Sequence, residues 1–416
     1  MTLRYRIALV ATRSVNAASR QLGRGQGTVA GGRAGIRVDP QLLGHLAAGR
    51  SVALVTGTNG KTTTTRLLTV ALGAGGAAVV SNETGSNMPP GHVAALVGDR
   101  RATLAVLETD EIYLPRVMAA TAPVAVVLLN LSRDQLDRTN EVRMVAGRWR
   151  AALAAAPHTT VIANADDPLV VWGGGAAAQV LWVSAGMSWQ LDATGCPSCD
   201  GRITFAPDGG WACAACGLAR PPATATLVLG ADGGYTGVWA DGRRHPITLA
   251  LPGRFNHANA LMAAVAATTY GIDPADALEA MAAVGEVAGR FTVRPVGGVP
   301  ARLMLAKNPA GWSELLELVG GDDGPIVISI NARTADGTDP SWLWDVPFER
   351  LVGRVVVATG DRCRDLSVRL KYAGVDHSVH ADPTAAVVSA GPGTATAAVD
   401  VIGNYTAFND LLAAKA

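Results

Sequence analysis

The sequence predicts an α/β fold: a mostly parallel sheet flanked by helices, with a small four-cysteine insertion, followed by a second, smaller α/β domain. Three observations predict it. Apolar, strand-like runs alternate with helical stretches from residue 51 to 183. Their spacing of roughly 20 to 30 residues suits βαβ units rather than hairpins. Two C-x-x-C pairs break the alternation between residues 190 and 222, and a second alternation begins near residue 295. This divides the chain into a first domain, 1–294, and a second, 295–416.

The elements follow in order. The opening MTLRYRIALVATRSVNAASR mixes arginines with a short apolar run that Arg13 interrupts, and reads as an amphipathic first helix rather than a signal peptide. The first domain's strands are SVALVTG, AAVVS, TLAVLET, VAVVLLN, TVIAN and VLWVS. After the insertion, residues 223–250 read as hairpin strands with Asp-Gly turns at 232 and 241. NHANALMAAVAATTYG is a helix that Gly271 ends. The second domain's strands are PIVISIN, RVVVATG and TATAAVD.

Composition narrows the function. The 416 residues are 49% hydrophobic, enough for two or three cores. Charges balance at 35 basic against 34 acidic and aromatics are scarce, which argues against nucleic acid as a partner. No apolar stretch reaches the about 18 residues that a membrane span needs. Four of the five cysteines form close pairs, which fits metal binding in a reducing, cytoplasmic compartment better than disulfides.

The stretch TGTNGKTTTT, residues 56–65, lies between a strand and a helix. That context makes a phosphate-binding loop. Gly57 and Gly60 let backbone N–H groups converge on phosphate oxygens, with Thr58 and Asn59 between them. The helix N-terminus adds partial positive charge. Lys61 reaches the phosphates, and Thr62 or Thr63 can hold Mg²⁺. One departure stands out: the Gly of the usual Walker pattern is replaced by Val55. Acidic residues Glu108, Asp110 and Glu111 follow the strand TLAVLET.

Cys196, Cys199, Cys213 and Cys216 form a C-x₂-C, x₁₃, C-x₂-C array. Four thiolates on two tight turns match a tetrahedral structural Zn²⁺ site, with redox dithiols or an iron–sulfur site as alternatives. A closed site of this kind serves folding rather than chemistry. Cys363 stands alone and carries no reading.

These motifs resemble the Mur ligase and folylpolyglutamate synthetase superfamily. TGTNGKTT is that superfamily's form of the loop. NLSRDQLDR (130–138), NADDP (164–168) and GRFNHANALMAAVA (253–266) resemble three more of its segments. The resemblance implies ATP and Mg²⁺, phosphorylation of a carboxylate, and attack by an amine on the acyl phosphate. It implies that Thr62 and Glu108 hold the magnesium and that Asn256 and Asn259 sit near the adenine. As a plainer reading, those asparagines cap their helix.

Within the superfamily the chain resembles the MurT family. RQLGRGQGTVAGGRAGIRVDP, Gln135 where typical Mur ligases carry His, the four-cysteine insertion, LAKNPAGWSELL and NARTADGTDPSWLWDVPFE carry that resemblance. Thr139 stands near the place of the second metal-site histidine. Ordinary Mur ligases place a uridine-nucleotide domain before the loop, and the position of the loop at residue 56 leads us to expect none here. The resemblance implies a Mur ligase central domain with a zinc ribbon and a Rossmann-like C-terminal domain. It implies amidation of the D-glutamate α-carboxylate of the lipid II stem peptide. Ammonia would come from a class I glutaminase partner, GatD, and an aspartate of this chain would complete that partner's Cys-His pair. Asp345 is the expected aspartate, with Asp339 and Asp336 as rivals. A stand-alone ligase adding an amino acid and a non-catalytic ATP-binding scaffold are the alternatives.

Overall fold

The computed structural model describes residues 2–21, 28–82, 85–133, 142–287, 290–320, 324–391 and 398–414. The chain packs as two compact units. The first comprises Met1–Ser132, Glu141–Ala250 and Phe255–Gly285, and the second comprises Arg133–Asn140, Leu251–Arg254 and Glu286–Ala416.

In the first unit the strands are β1 (Ser51–Thr56), β2 (Val79–Ser81), β3 (Leu104–Glu108), β4 (Ala125–Leu128), β5 (Thr160–Asn164) and β6 (Gln179–Ser184). They are followed by β7 (Ile203–Phe205), β8 (Trp211–Cys213), β9 (Ala225–Leu229), β10 (Tyr235–Trp239) and β11 (Arg244–Ile247). Nine of them form one sheet in the order β11-β10-β9-β6-β5-β4-β1-β3-β2. The run from β2 to β9 is parallel, and β9, β10 and β11 pair antiparallel. The expected hairpins at 223–250 are these last three strands. β4 is buried at every residue, which is why it reads as a continuous apolar run rather than an alternation. The chain passes from β1 over β3 to β2, so the carboxyl ends of β1, β3 and β4 face a topological switch point, where ligands bind in open α/β sheets.

The N-terminal segment folds as helices Leu3–Gln21, Thr28–Val38 and Leu42–Ala47. The helix Arg254–Thr268 begins slightly before the sequence suggested. Residues 190–222 form a separate two-stranded ribbon, β7 against β8.

In the second unit, β12 (Phe291–Val296), β13 (Val299–Leu305), β14 (Ile326–Ser329), β15 (Val356–Thr359), β16 (His377–Val379) and β17 (Val399–Gly403) form a sheet in the order β12-β13-β17-β14-β15-β16. Only the β12–β13 pairing is antiparallel. One cluster of its core is aliphatic around the ring of Phe408, and Trp312, Trp342 and Phe348 are buried elsewhere in the unit. β14, β15 and β17 are buried throughout. The predicted strand at 394–400 lies further along, at Val399–Gly403. Residues 394–397 of that reading are outside the described residues. β12, β13 and β16 were not anticipated: β12 carries Arg294 and Pro295, and β16 is three residues long at a sheet edge.

Four helices across the two units share one start. Asp167, Asp273, Asn308 and Asp382 each precede a proline at the first helical position and accept backbone N–H groups through the side chain.

Candidate functional site

The phosphate loop follows β1 directly. Gly57 has φ 140° and Gly60 φ 86°, conformations open mainly to glycine. A Cβ at Gly57 would sit 2.9 Å from Leu129 Cβ, and one at Gly60 would sit 2.7 Å from Asn259 Oδ1. Both glycines are therefore fixed by conformation and by close neighbours. Gly60 caps the 13-residue helix Lys61–Gly73, so the positive end of that helix points at the loop.

Residues after β4 brace the loop. Thr58 N donates to Asn130 O, and Thr58 Oγ1 both donates to Ser132 O and accepts from Ser132 N. Asn130 closes a reciprocal pair, accepting Asn59 N at 2.8 Å and donating to Asn59 O at 3.0 Å. These bonds span more than 70 residues of chain and hold the loop to the segment after β4.

Lys61 Nζ donates to Gly57 O at 2.5 Å, to Thr58 O at 3.1 Å and to Glu111 Oε2 at 3.1 Å. Thr62 Oγ1 donates to Glu108 Oε2 at 2.9 Å. Glu108 ends β3 and is 2% exposed. Its backbone is held on both sides: Asn82 Oδ1 accepts Glu108 N, and Asn82 Nδ2 donates to Glu108 O. His92 Nε2 also donates to Glu108 O, at 2.8 Å. Burial pushes His92 down to about 4, so the ring is neutral and its Nε2 carries the hydrogen. Thr63 is buried in the first turn of the helix. An ammonium, a hydroxyl bonded to a carboxylate, and a helix N-terminus thus share one strand edge. Such a set of oxygens suits a hard cation, and the ammonium and helix suit phosphate.

Asn256 and Asn259 lie one turn apart on the helix Arg254–Thr268, and both are buried. Asn259 is against Gly60, which gives it the phosphate loop as its neighbourhood. NADDP forms a junction. Asp167 caps its helix and accepts Leu131 N, and burial raises it to about 6. Asp166 accepts Ala185 N and Gly186 N with one oxygen and Arg220 Nε with the other.

The four cysteine sulfurs lie within 4.8 Å of one another, with Cys196–Cys216 and Cys199–Cys213 each at 3.6 Å. The two knuckles repeat one geometry. In each, the first Cys N donates to the fifth residue on, Gly201 or Leu218, and its O accepts from the fourth, Asp200 or Gly217. Asp200 and Gly217 both take positive φ, which the second knuckle's glycine advertised and the first's aspartate did not. Zn–S bonds of about 2.3 Å place tetrahedral sulfurs about 3.8 Å apart, so this cluster can hold a metal ion. Trp211 ties the ribbon to the sheet by donating to Ala165 O at 3.0 Å.

In the second unit Asp345 ends the turn Ser341–Asp345, is partly exposed, and lies 3.5 Å from Arg133. Its rivals are engaged locally. Asp336 is buried and accepts Thr406 N and Oγ1. Asp339 accepts Ser341 N. Gln135 and Thr139 fall outside the described residues.

Residues 55–187 match the family model for the Mur ligase middle domain, and residues 305–408 match that for the MurT ligase C-terminal domain. The chain is 29% identical to the lipid II isoglutaminyl synthase (glutamine-hydrolyzing) subunit MurT of Streptococcus pneumoniae, over 90% of this chain and 88% of that one. It is also 29% identical to the MurT subunit of Staphylococcus aureus strain COL, over 86% of each chain. Over most of its length the chain is thus similar to MurT subunits. It also shares its fold with solved Mur-type ligases. A pseudomurein peptide ligase type C from Methanothermus fervidus aligns with TM-score 0.64 at 18% identity, over 86% of this chain and 77% of that one. MurF from Acinetobacter baumannii aligns with TM-score 0.65 at 15% identity, over 92% and 80%.

Three supports of this site were not singled out from the sequence. Asn82 and His92 hold the Glu108 backbone, and Asn130 braces the loop. Asn130 sat inside a quoted motif. Asn82 and His92 had no sequence signal, because their partners are backbone atoms 26 and 16 residues away.

Proposed function

We propose that this chain is the ATP-using subunit of a lipid II isoglutaminyl synthase. It amidates the α-carboxylate of D-glutamate in the stem peptide of lipid II, with ammonia supplied by a GatD-type glutaminase. The observation that carries the reading is a phosphate loop whose Lys61 and Thr62 meet Glu111 and Glu108, in a chain 29% identical to two MurT subunits.

The chemistry is an acyl phosphate route. A carboxylate oxygen attacks the γ-phosphorus of ATP and ADP leaves. Ammonia then attacks the acyl carbon, phosphate departs with the carboxylate's oxygen, and the nitrogen loses a proton. Lys61 spreads the charge of the transferring phosphoryl group, and the Gly57–Thr63 backbone orients the phosphates. Thr62 and Glu108 hold Mg²⁺, which when bound neutralises phosphate charge. Asn259 positions the loop through Gly60, and Asn256 lies one turn away on the nucleotide side. Cys196, Cys199, Cys213 and Cys216 hold a structural Zn²⁺. We assign nucleotide activation to residues 1–294 and partner contact to residues 295–416. Asp345, partly exposed beside Arg133, is the carboxylate offered to the partner's Cys-His pair, whereas Asp336 and Asp339 accept backbone N–H groups.

The test supplies purified chain, ATP, Mg²⁺ and lipid II, with either ammonium or glutamine plus the glutaminase. A stem peptide lighter by the difference between hydroxyl and amino, formed only with ATP, is the expected product. No mass change with either nitrogen source, while ATP still binds, would overturn the reading in favour of a ligase for another acid or a scaffold.

A further inference from the structure

The first helix, Leu3–Gln21, carries two apolar faces. Tyr5, Ala8, Leu9 and Thr12 are buried and join the first unit's core. Leu3, Ile7 and Val10 are 75%, 50% and 63% exposed. Their i, i+4, i+7 spacing makes one stripe, and at about 100° per residue it lies opposite Tyr5 and Leu9. The helix Thr28–Val38 leaves this stripe uncovered. It packs on the other side, where Gly31 sits against Asn16 and Thr12, and Gly35 against Thr12 and Ala8.

Charge defines what fits the stripe. Arg6 and Arg13 border it on one side and Arg4 on the other, all exposed. The first 38 residues hold seven arginines and no acidic residue, while the remainder of the chain holds 28 basic against 34 acidic residues. A near-neutral chain thus begins with an excess of positive charge, and three of these arginines, Arg4, Arg6 and Arg13, flank the exposed apolar stripe, Arg4 also donating to Val38 O. A second copy would bring like charges together, and a nucleic acid would leave the apolar residues unused. An anionic lipid surface satisfies both features: acyl chains take the stripe and head-group phosphates take the guanidiniums.

We propose that the helix Leu3–Gln21 is an interfacial helix that lays Leu3, Ile7 and Val10 into an anionic membrane surface. This goes beyond the proposed amidation and does not depend on it, although a lipid-linked substrate would be met at such a surface. No helix among the described residues is long and apolar enough to cross a membrane, so the contact is peripheral.

Co-sedimentation of the full chain with vesicles lacking lipid II separates this proposal from the amidation reading. Vesicles of phosphatidylglycerol with phosphatidylcholine are compared with phosphatidylcholine alone, at low and physiological ionic strength. Binding is expected to the anionic vesicles and to weaken as salt rises. I7E/V10E lowers the partition coefficient by about tenfold or more. R6Q/R13Q lowers it by a similar, about tenfold, factor. Circular dichroism and thermal melting confirm that each variant folds, as expected for solvent-facing positions. Failure of the chain to bind anionic vesicles at low salt, or binding unchanged in I7E/V10E, overturns the proposal. A lipid-free dimer in sedimentation that I7E/V10E dissociates also overturns it, by giving the stripe to a second copy.

Discussion

Lys61 bonds to two carbonyls of its own loop and to Glu111, while Thr62 bonds to Glu108. The two acidic residues therefore divide the work: one faces the ammonium and the other the hydroxyl. Lys61→Ala removes the charge that meets the developing phosphoryl anion, and kcat for amidation should fall by about 100-fold or more, read in the ammonium-driven assay. Thr62→Val keeps the volume but loses the hydroxyl. It should raise the Mg²⁺ concentration needed for half-maximal rate while leaving the melting temperature nearly unchanged. His92 gives a pH signature. Its folded value of about 4 lies below the usual 6.5, so the unfolded chain binds the extra proton between those values. The stability that this ring contributes is present above pH 6.5 and is lost as pH falls toward 4, with a slope of up to about 1.4 kcal/mol per pH unit. His92→Gln, which can still donate to Glu108 O, should flatten that part of the urea-midpoint profile relative to the parent chain.

At the scale of elements, the sequence was most readable where local chemistry decides the structure. The parallel strands appear as apolar runs because both faces are covered, and β4 and β14 are buried at every residue. Asx-Pro pairs cap helices at Asp167, Asp273, Asn308 and Asp382, a local signal that was not singled out from the sequence. Gly57, Gly60 and Lys61 were legible because few backbones other than a phosphate loop need them in that order. What was not legible depends on distant pairing. β16 is too short to show a period, and β12 carries Arg294, whose guanidinium reaches the carbonyls of Leu412 and Ala414. The latch from Asp166 to Arg220 joins residues 54 apart and leaves no pattern. The cysteine array was readable as a unit, and its two knuckles superpose in hydrogen bonding. Elemental analysis should find one zinc per chain. Cys199→Ser or chelation should release it and raise amide exchange across Ile203–Phe205 and Trp211–Cys213, because the ribbon has only a small apolar cluster of its own.

For the whole molecule, the proposed reaction divides the labour between this chain and a partner. Asp345 is the test of that division. Asp345→Asn should abolish glutamine-driven amidation with the glutaminase present, yet leave ammonium-driven amidation within about twofold of the parent, since the phosphate loop is untouched. Loss of both rates would instead place Asp345 in this chain's own chemistry or folding. The central claim is that the chain activates a carboxylate as an acyl phosphate. It is tested most directly by supplying lipid II whose D-glutamate α-carboxylate carries a heavy isotope at both oxygens, with ATP, Mg²⁺ and ammonium, and reading the released phosphate by mass spectrometry. One labelled oxygen is expected in each phosphate formed with product. Unlabelled phosphate accompanying amidated product would contradict it.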